Sequence, residues 1–150
     1  MFDHAALISN PDFAKEYPEI FKGLADMNGA TKALDNDKQL TELVKIRASQ
    51  LNGCAYCVKV HINVGKQVGL EQSKIDLIAV WRDSPQFTVK EKAALALCEE
   101  LTRINANFPN MEIMHETRKH FTKNELIVLI SAIANINAWN RLGVGLGFTP

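Results

Sequence analysis

Apolar residues along this chain recur three and four positions apart, the spacing of one helix face. Nowhere does a sustained period-two alternation mark a strand. A first helix is predicted after Tyr17-Pro18, with Ile20, Phe21 and Leu24 on one side. Asp35-Asn36-Asp37 offers N-cap side chains for a second, carrying Leu40, Leu43, Val44, Arg47 and Leu51 and stopped at Asn52-Gly53. A third runs from Cys54 or Ala55 to Val68, closed by Gly69. A fourth, Glu71 to Arg82, places Ile75, Ile78 and Ala79 inside with Leu77 beside them, and Ser84-Pro85 breaks it. Thr88 with Glu91, and Thr122 with Glu125, fit the reciprocal capping box. The helices they open span Val89 to Ile104 and Lys123 to about Leu142, and Phe108-Pro109-Asn110 starts a short helix between them. The pattern predicts an all-α fold, residues 1–150 forming one compact helical domain.

The last helix is apolar on more than one face (Leu126, Ile127, Val128, Leu129, Ile130, Ala132, Ile133, Ala134), and such a helix must be covered all round. In a small domain this favours a second subunit over one side. The chain has 150 residues, 47% apolar and 23% charged, the balance of an ordinary globular protein. With 17 basic and 17 acidic residues the net charge is zero, which argues against a nucleic-acid backbone or an anionic membrane surface as partner. The start of the chain, from Met1 to Pro11, lacks a signal-peptide pattern. The most apolar window, Leu126 to Ile136, is interrupted by Ser131 and Asn135 and is short for a membrane span. The expected location is the cytoplasm, where three cysteines do not make a secreted disulfide framework and a close pair implies metal or redox chemistry.

That pair is Cys54 and Cys57 in the run Asn52-Gly53-Cys54-Ala55-Tyr56-Cys57. Three residues apart in the first turn, two side chains share a helix face and can make or break a disulfide without moving the backbone. The helix N-terminus stabilises an anion, and the thiolate is the reactive form of cysteine. His61, four residues after Cys57, faces the same side and can take its proton or hold the thiolate as imidazolium. Glu42 lies twelve residues before Cys54. If Asn52-Gly53 turns a helical hairpin, Glu42 stands ~16 Å back along one arm and His61 ~12 Å along the other. The spacing permits Glu42 to orient His61.

Three readings compete for this cluster. An inert CxxC in a helix is one. A zinc site on Cys54, Cys57 and His61 is another, but the chain has no second CxxC, and His4, His115 and His120 are distant in sequence. Dithiol redox chemistry is the third and fits best, on a helical scaffold, since no βαβ unit of thioredoxin type is present.

The run from Glu42 through Arg47-Ala48-Ser49-Gln50 and the CxxC to His61 resembles the core motif of alkylhydroperoxidase D-like proteins, in the carboxymuconolactone decarboxylase superfamily. The likeness continues through Ala79-Val80-Trp81-Arg82, Phe87-Thr88, Glu91 to Ala96 and Ile136 to Arg141, so it covers roughly Lys38 to Arg141. It implies an all-α fold assembled as a trimer or hexamer, and a peroxidase cycle needing no metal or organic cofactor. By the same resemblance, Cys57 is the peroxidatic cysteine, Cys54 the partner that resolves its sulfenic acid as a disulfide, and His61 and Glu42 the proton relay. The implied partners are a peroxide and a dithiol electron donor. One position departs: members of the peroxidase type have a histidine just before the second cysteine, where this chain has Tyr56. A phenol donates a hydrogen bond but is a poor base near neutral pH. Two alternatives stay open, a decarboxylase-type lyase and a non-catalytic redox sensor.

Other conspicuous residues have plainer readings. Cys98 reads as a buried small hydrophobe, and Trp81 and Trp139 as core or interface anchors. Asn137 and Asn140 are expected to bond helix ends or a neighbouring subunit. Gly143, Gly145 and Gly147 spell GxGxG, but no strand precedes them, so a C-terminal stop is expected there rather than a nucleotide loop.

Overall fold

The structure, a computed structural model, describes residues 5–150, so His4 lies outside the described residues. It is all-α, with no strand among the described residues. The helices are α1 (Asn10–Glu16), α2 (Pro18–Leu34), α3 (Lys38–Leu51), α4 (Ala55–Gln67), α5 (Gln72–Leu77), α6 (Val89–Thr102), α7 (Met111–His120) and α8 (Lys123–Leu146). Both capping boxes form as the sequence predicts, Thr88 with Glu91 and Thr122 with Glu125. Asp37 caps α3 by accepting from the Leu40 amide at 3.1 Å, and Asn110 caps α7. Gly69 and Gly147 stop α4 and α8 in the left-handed conformation that glycine takes without steric cost, φ 90° and 77°.

Three expectations are corrected. An extra helix, α1, precedes the first predicted one. Its seven residues are too few to show periodicity, although Ser9 caps it and Pro11 sits in its first turn. Ile20 faces outward at 56% exposure while Phe21 and Leu24 turn in, because adjacent helical residues lie about 100° apart and α2 is covered on one side only. The fourth helix is not continuous. It ends at Leu77 and becomes a 3₁₀ turn over Ile78–Asp83, with Val80 at φ −119°, ψ 28°. The change of winding turns Ala79 and Leu77 outward and Trp81 inward.

An ion cluster holds that turn. Glu99 of α6 accepts from Arg47 Nε (2.9 Å) and Trp81 Nε1 (2.9 Å), while Arg82 reaches its other oxygen at 2.7 Å and stacks over the Trp81 ring. Burial alone would raise the Glu99 pKa. The donors Trp81, Arg82 and Arg47 outweigh it and hold the carboxylate below its ordinary range.

α3 is the axis of the fold, packed against α4, α6 and α8. Leu43, Val44, Ile46 and Ala48 are fully buried, and the unbroken buried run from Leu40 to Ile46 includes Glu42 and Lys45. α8 is the second central helix. It is long and apolar enough to cross a membrane by length and composition, yet half of its most apolar stretch is packed inside the fold. Its buried asparagines bond other helices. Asn135 donates to the Leu24 carbonyl (3.0 Å), Asn137 to Thr102 Oγ1 (3.0 Å) and Asn140 to Ser49 Oγ (2.9 Å).

Candidate active site: a disulfide, a buried relay and a shared cavity

The turn between α3 and α4 is fixed from three directions. Gly53 adopts φ 68°, open to glycine at little cost. The Cys54 amide donates back to the Ser49 carbonyl at 3.0 Å. Asn52, the C-cap of α3, spends both amide hydrogens on α8, reaching Asn137 Oδ1 at 2.9 Å and Asn140 Oδ1 at 3.0 Å. The two asparagines thus bond a helix end, as the sequence predicts.

Cys54 is the N-cap of α4 and Cys57 its third residue, so the pair straddles the helix start rather than lying wholly within the first turn. Their sulfurs form a disulfide, with Cα atoms 5.3 Å apart, and the Cys57 amide points at Cys54 Sγ at 3.3 Å. Both residues are buried. The Trp139 carbonyl lies 4.0 Å from Cys57 Sγ. Behind the pair runs α8, approaching so closely at Gly143 that a Cβ there would stand 2.7 Å from Cys54 Sγ and 3.3 Å from Cys57 Sγ.

The hairpin contact that the spacing permits is present: Glu42 Oε2 is 2.7 Å from His61 Nδ1. Gly65, one turn beyond His61, leaves room for the Leu70 side chain beside the hairpin. A Cβ at that position would sit 3.1 Å from Leu70 Cδ2 and 3.7 Å from Glu42 Cβ. The other carboxylate oxygen takes a hydrogen bond from Lys45 Nζ at 3.1 Å, and Lys45 also reaches Asn28 Oδ1 of α2 at 3.2 Å. Burial pushes the Glu42 pKa up. The His61 hydrogen bond and the Lys45 charge overcome that push and leave the carboxyl below its ordinary 4.5. With Glu42 ionised and accepting, neutral His61 carries its proton on Nδ1, which leaves Nε2 as the free base of the ring.

Cys57, His61, Lys45 and Tyr56 line one cavity of about 270 Å³, walled by Phe21, Ala25, Val60, Ile136, Trp139 and Phe148. Tyr56 takes part as a wall, its ring edge-on to Phe148 at 5.5 Å. All four predicted site residues therefore meet at one place: the cysteines at the head of α4, His61 one turn on, and Glu42 across the hairpin. Lys45, Asn28, Asn52 and Gly143 were missed as parts of it. Lys45 had a legible signal, three residues after Glu42 and hence on the same helix face. Asn28 and Gly143 had none, because only tertiary packing brings α2 and α8 here. Elsewhere, Cys98 is buried, donates to the Val44 carbonyl at 3.2 Å, and has its pKa pushed by burial up to about 12.

The geometry defines a helical protein with a Cys54–Cys57 disulfide, in which Cys57 lines a cavity shared with a carboxylate-backed imidazole. Residues 18–100 match the model of the carboxymuconolactone decarboxylase family, and the chain belongs to that family. It is 34% identical over 130 residues to the uncharacterized protein YdfG of Bacillus subtilis (strain 168), covering 87% of this chain and 88% of that one. Its fold matches the crystal structure of ATU0492 from Agrobacterium tumefaciens at a TM-score of 0.88 and 33% identity, covering 95% of each chain. ATU0492 is a protein of unknown function proposed to be the antioxidant-defence protein AhpD. The family and fold implied by the motif from Glu42 to His61 are thus found.

Proposed function

We propose that this protein is a thiol peroxidase that reduces hydrogen peroxide or an organic hydroperoxide through Cys57 and Cys54. The observation that carries the reading is the 2.7 Å contact of Glu42 with His61, whose ring lines the same cavity as Cys57. In the dithiol state His61 Nε2 accepts the Cys57 proton, and Glu42 stabilises the imidazolium that results. The thiolate attacks one peroxide oxygen and the O–O bond breaks. The leaving alkoxide takes the proton from His61 and departs as alcohol, leaving Cys57 as sulfenic acid. The Cys54 thiol then attacks Cys57 Sγ, water leaves, and the observed disulfide forms. A dithiol donor returns the pair to its reduced state by exchange, which suits a reducing compartment such as the cytoplasm. The exposed Ile127 and Val144 on α8 favour assembly as a homo-oligomer.

The test is a free-thiol count on reduced protein before and after one equivalent of cumene hydroperoxide, with mass spectrometry to locate the bridge. Loss of two thiols as a Cys54–Cys57 disulfide is expected. Cys57→Ser abolishes peroxide consumption, and Cys54→Ser stops at the sulfenic acid. Peroxide turnover retained in Cys57→Ser refutes the assignment. Lactone decarboxylation surviving in the double serine variant would replace it with lyase chemistry.

A further inference from the structure

Lys45 has no task in the cycle above, yet its position is costly. Its ammonium is buried, with the side chain 6% exposed, and taking such an ion out of water costs several kcal/mol unless it is well paired. An apolar side chain would fill the same place between α2 and α3 without that cost. Three contacts define what the charge does. Lys45 Nζ lies 3.1 Å from Glu42 Oε1, Glu42 Oε2 lies 2.7 Å from His61 Nδ1, and Lys45 Nζ lies 3.2 Å from Asn28 Oδ1. Each carboxylate oxygen has its own partner, Lys45 on α3 and His61 on α4, so Glu42 cannot turn about its last bond without losing one of them.

We propose that Lys45 is a positioning residue of the thiol-activating relay: held by Asn28, its buried ammonium fixes the orientation and the charge of Glu42, and so keeps His61 a neutral base. This rests on the thiol chemistry proposed above. With Lys45 present, the Glu42 and Lys45 charges cancel beside the His61 ring. Without it, the buried carboxylate is uncompensated. The Glu42–His61 pair then draws a proton from solvent before any thiol offers one. That proton occupies the base.

The charged and titratable groups around Lys45 are few. Glu42 is on its own helix, and His61, Tyr56 and Cys57 face the shared cavity from α4. On the opposite side, a small cleft brings Lys32 from α2, Asp35 from the α2–α3 turn and Lys38 from α3. From α8 the cavity receives only the neutral Asn135, Ile136 and Trp139. Glu42 is thus the acidic side chain that Lys45 contacts directly.

The test follows the imidazole signals of His61 by NMR against pH, assigned with His61→Gln, in the wild type, Lys45→Gln and Lys45→Arg. Removing a positive charge this close raises the midpoint of the Glu42–His61 proton uptake by about one pH unit in Lys45→Gln, while Lys45→Arg stays at the wild-type midpoint. The acid limb of the cumene hydroperoxide reaction moves upward by the same amount, and the rate at neutral pH falls by up to about tenfold. A merely structural lysine would lower the melting temperature and leave the NMR midpoint in place. A Lys45→Gln midpoint equal to that of the wild type overturns the proposal. Should Lys45→Gln fail to fold, Asn28→Ala decides, because it frees the ammonium from its anchor on α2. A His61 midpoint in Asn28→Ala equal to that of the wild type then overturns the proposal. The NMR readout needs no peroxide, so a protein inert to hydroperoxide would sink the peroxidase reading and leave the Lys45 result to stand on its own.

Discussion

Replacing Gly143 by alanine tests how tightly α8 is seated on the sulfurs. The added Cβ would stand 2.7 Å from Cys54 Sγ and 3.3 Å from Cys57 Sγ, with Phe148 Cδ2 at 3.6 Å behind. Ordinary non-bonded contact begins near ~3.5 Å, so a displacement on the order of 1 Å is needed, in a place packed on all sides. Overpacking of that kind costs about 1–3 kcal/mol. The change also brings the gain of alanine over glycine within a helix, about 0.5–1 kcal/mol, which must be separated out. Gly23 provides the control, being inside α2 with nothing within 4 Å of its virtual Cβ. At about 2–4 °C per kcal/mol for a chain of this size, Gly143→Ala should melt about 2–12 °C below Gly23→Ala. Melting followed by circular dichroism, with and without a reductant, completes the assay. The deficit should be larger with the disulfide formed, because a free Cys54 thiol can rotate away from the new methyl. Equal melting of the two variants in both redox states would refute the steric argument.

Asn52→Ala removes both hydrogen bonds that tie the α3–α4 turn to α8 and takes the donor from the Asn140 carbonyl oxygen, while Asn137 Oδ1 keeps Arg141. A loss of about 1–3 kcal/mol is expected in urea denaturation, and a midpoint unchanged from wild type would show that the clamp is idle. Acid should destabilise the fold in a defined window. Glu42, Glu99 and Glu125 have folded pKa values below the ordinary 4.5, Glu125 at about 2 through Lys90 and the Thr122 cap. Depressed carboxylates contribute stability that is complete above 4.5 and lost as pH falls through the folded values, so denaturation midpoints measured from pH 6 to pH 2 should drop below about 4.5. Glu125 is exposed, so its share should shrink in high salt, and a flat profile across that window would contradict all three assignments. Cys98, with its pKa pushed up to about 12, should escape alkylation in native reduced protein at pH 8, giving two reactive thiols that become three on denaturation. Three thiols reacting at similar rates in the native state would place Cys98 elsewhere than in the core.

Local signals carried most of the secondary structure. The capping boxes at Thr88 and Thr122, the Asp37 cap and the stop at Asn52-Gly53 are all encoded within four residues of where they act, and each forms. The break after Leu77 was hidden for the opposite reason. Its cause is Trp81 bonding Glu99 eighteen residues later, and periodicity read over Glu71 to Arg82 is blind to that partner. The same division holds at the site. Glu42, Cys54, Cys57 and His61 lie on two arms of a single hairpin, so helix geometry alone was enough to bring them together. Asn28 and Gly143 arrive from helices whose docking the spacing of residues does not encode. Lys45 stands in plain view three residues after Glu42, but lysine is rarely buried, and nothing local marks this one as such. Tyr56 was legible as a substitution, whereas its place against Phe148 depends on the return of the chain after α8.

That return gives the cavity two kinds of parentage. The candidate site residues between Glu42 and His61 form one contiguous stretch: Glu42 bonds Lys45 and His61 within the hairpin, while Lys45 also ties to Asn28 and Cys57 Sγ approaches the Trp139 carbonyl. The walls at Phe21, Ala25, Trp139 and Phe148 lie outside that stretch, towards the two ends of the chain, and the Glu42 carboxylate bonds Lys45 and His61 rather than any of them. The walls can therefore vary while the Glu42–His61 pair stays constant. Exchanging Phe21 or Phe148 for other apolar side chains would reshape what the cavity admits and leave the Glu42–His61 contact untouched. A scaffold divided in this way lends itself to diversification, in nature or in the laboratory, by small steps that each preserve a working hairpin.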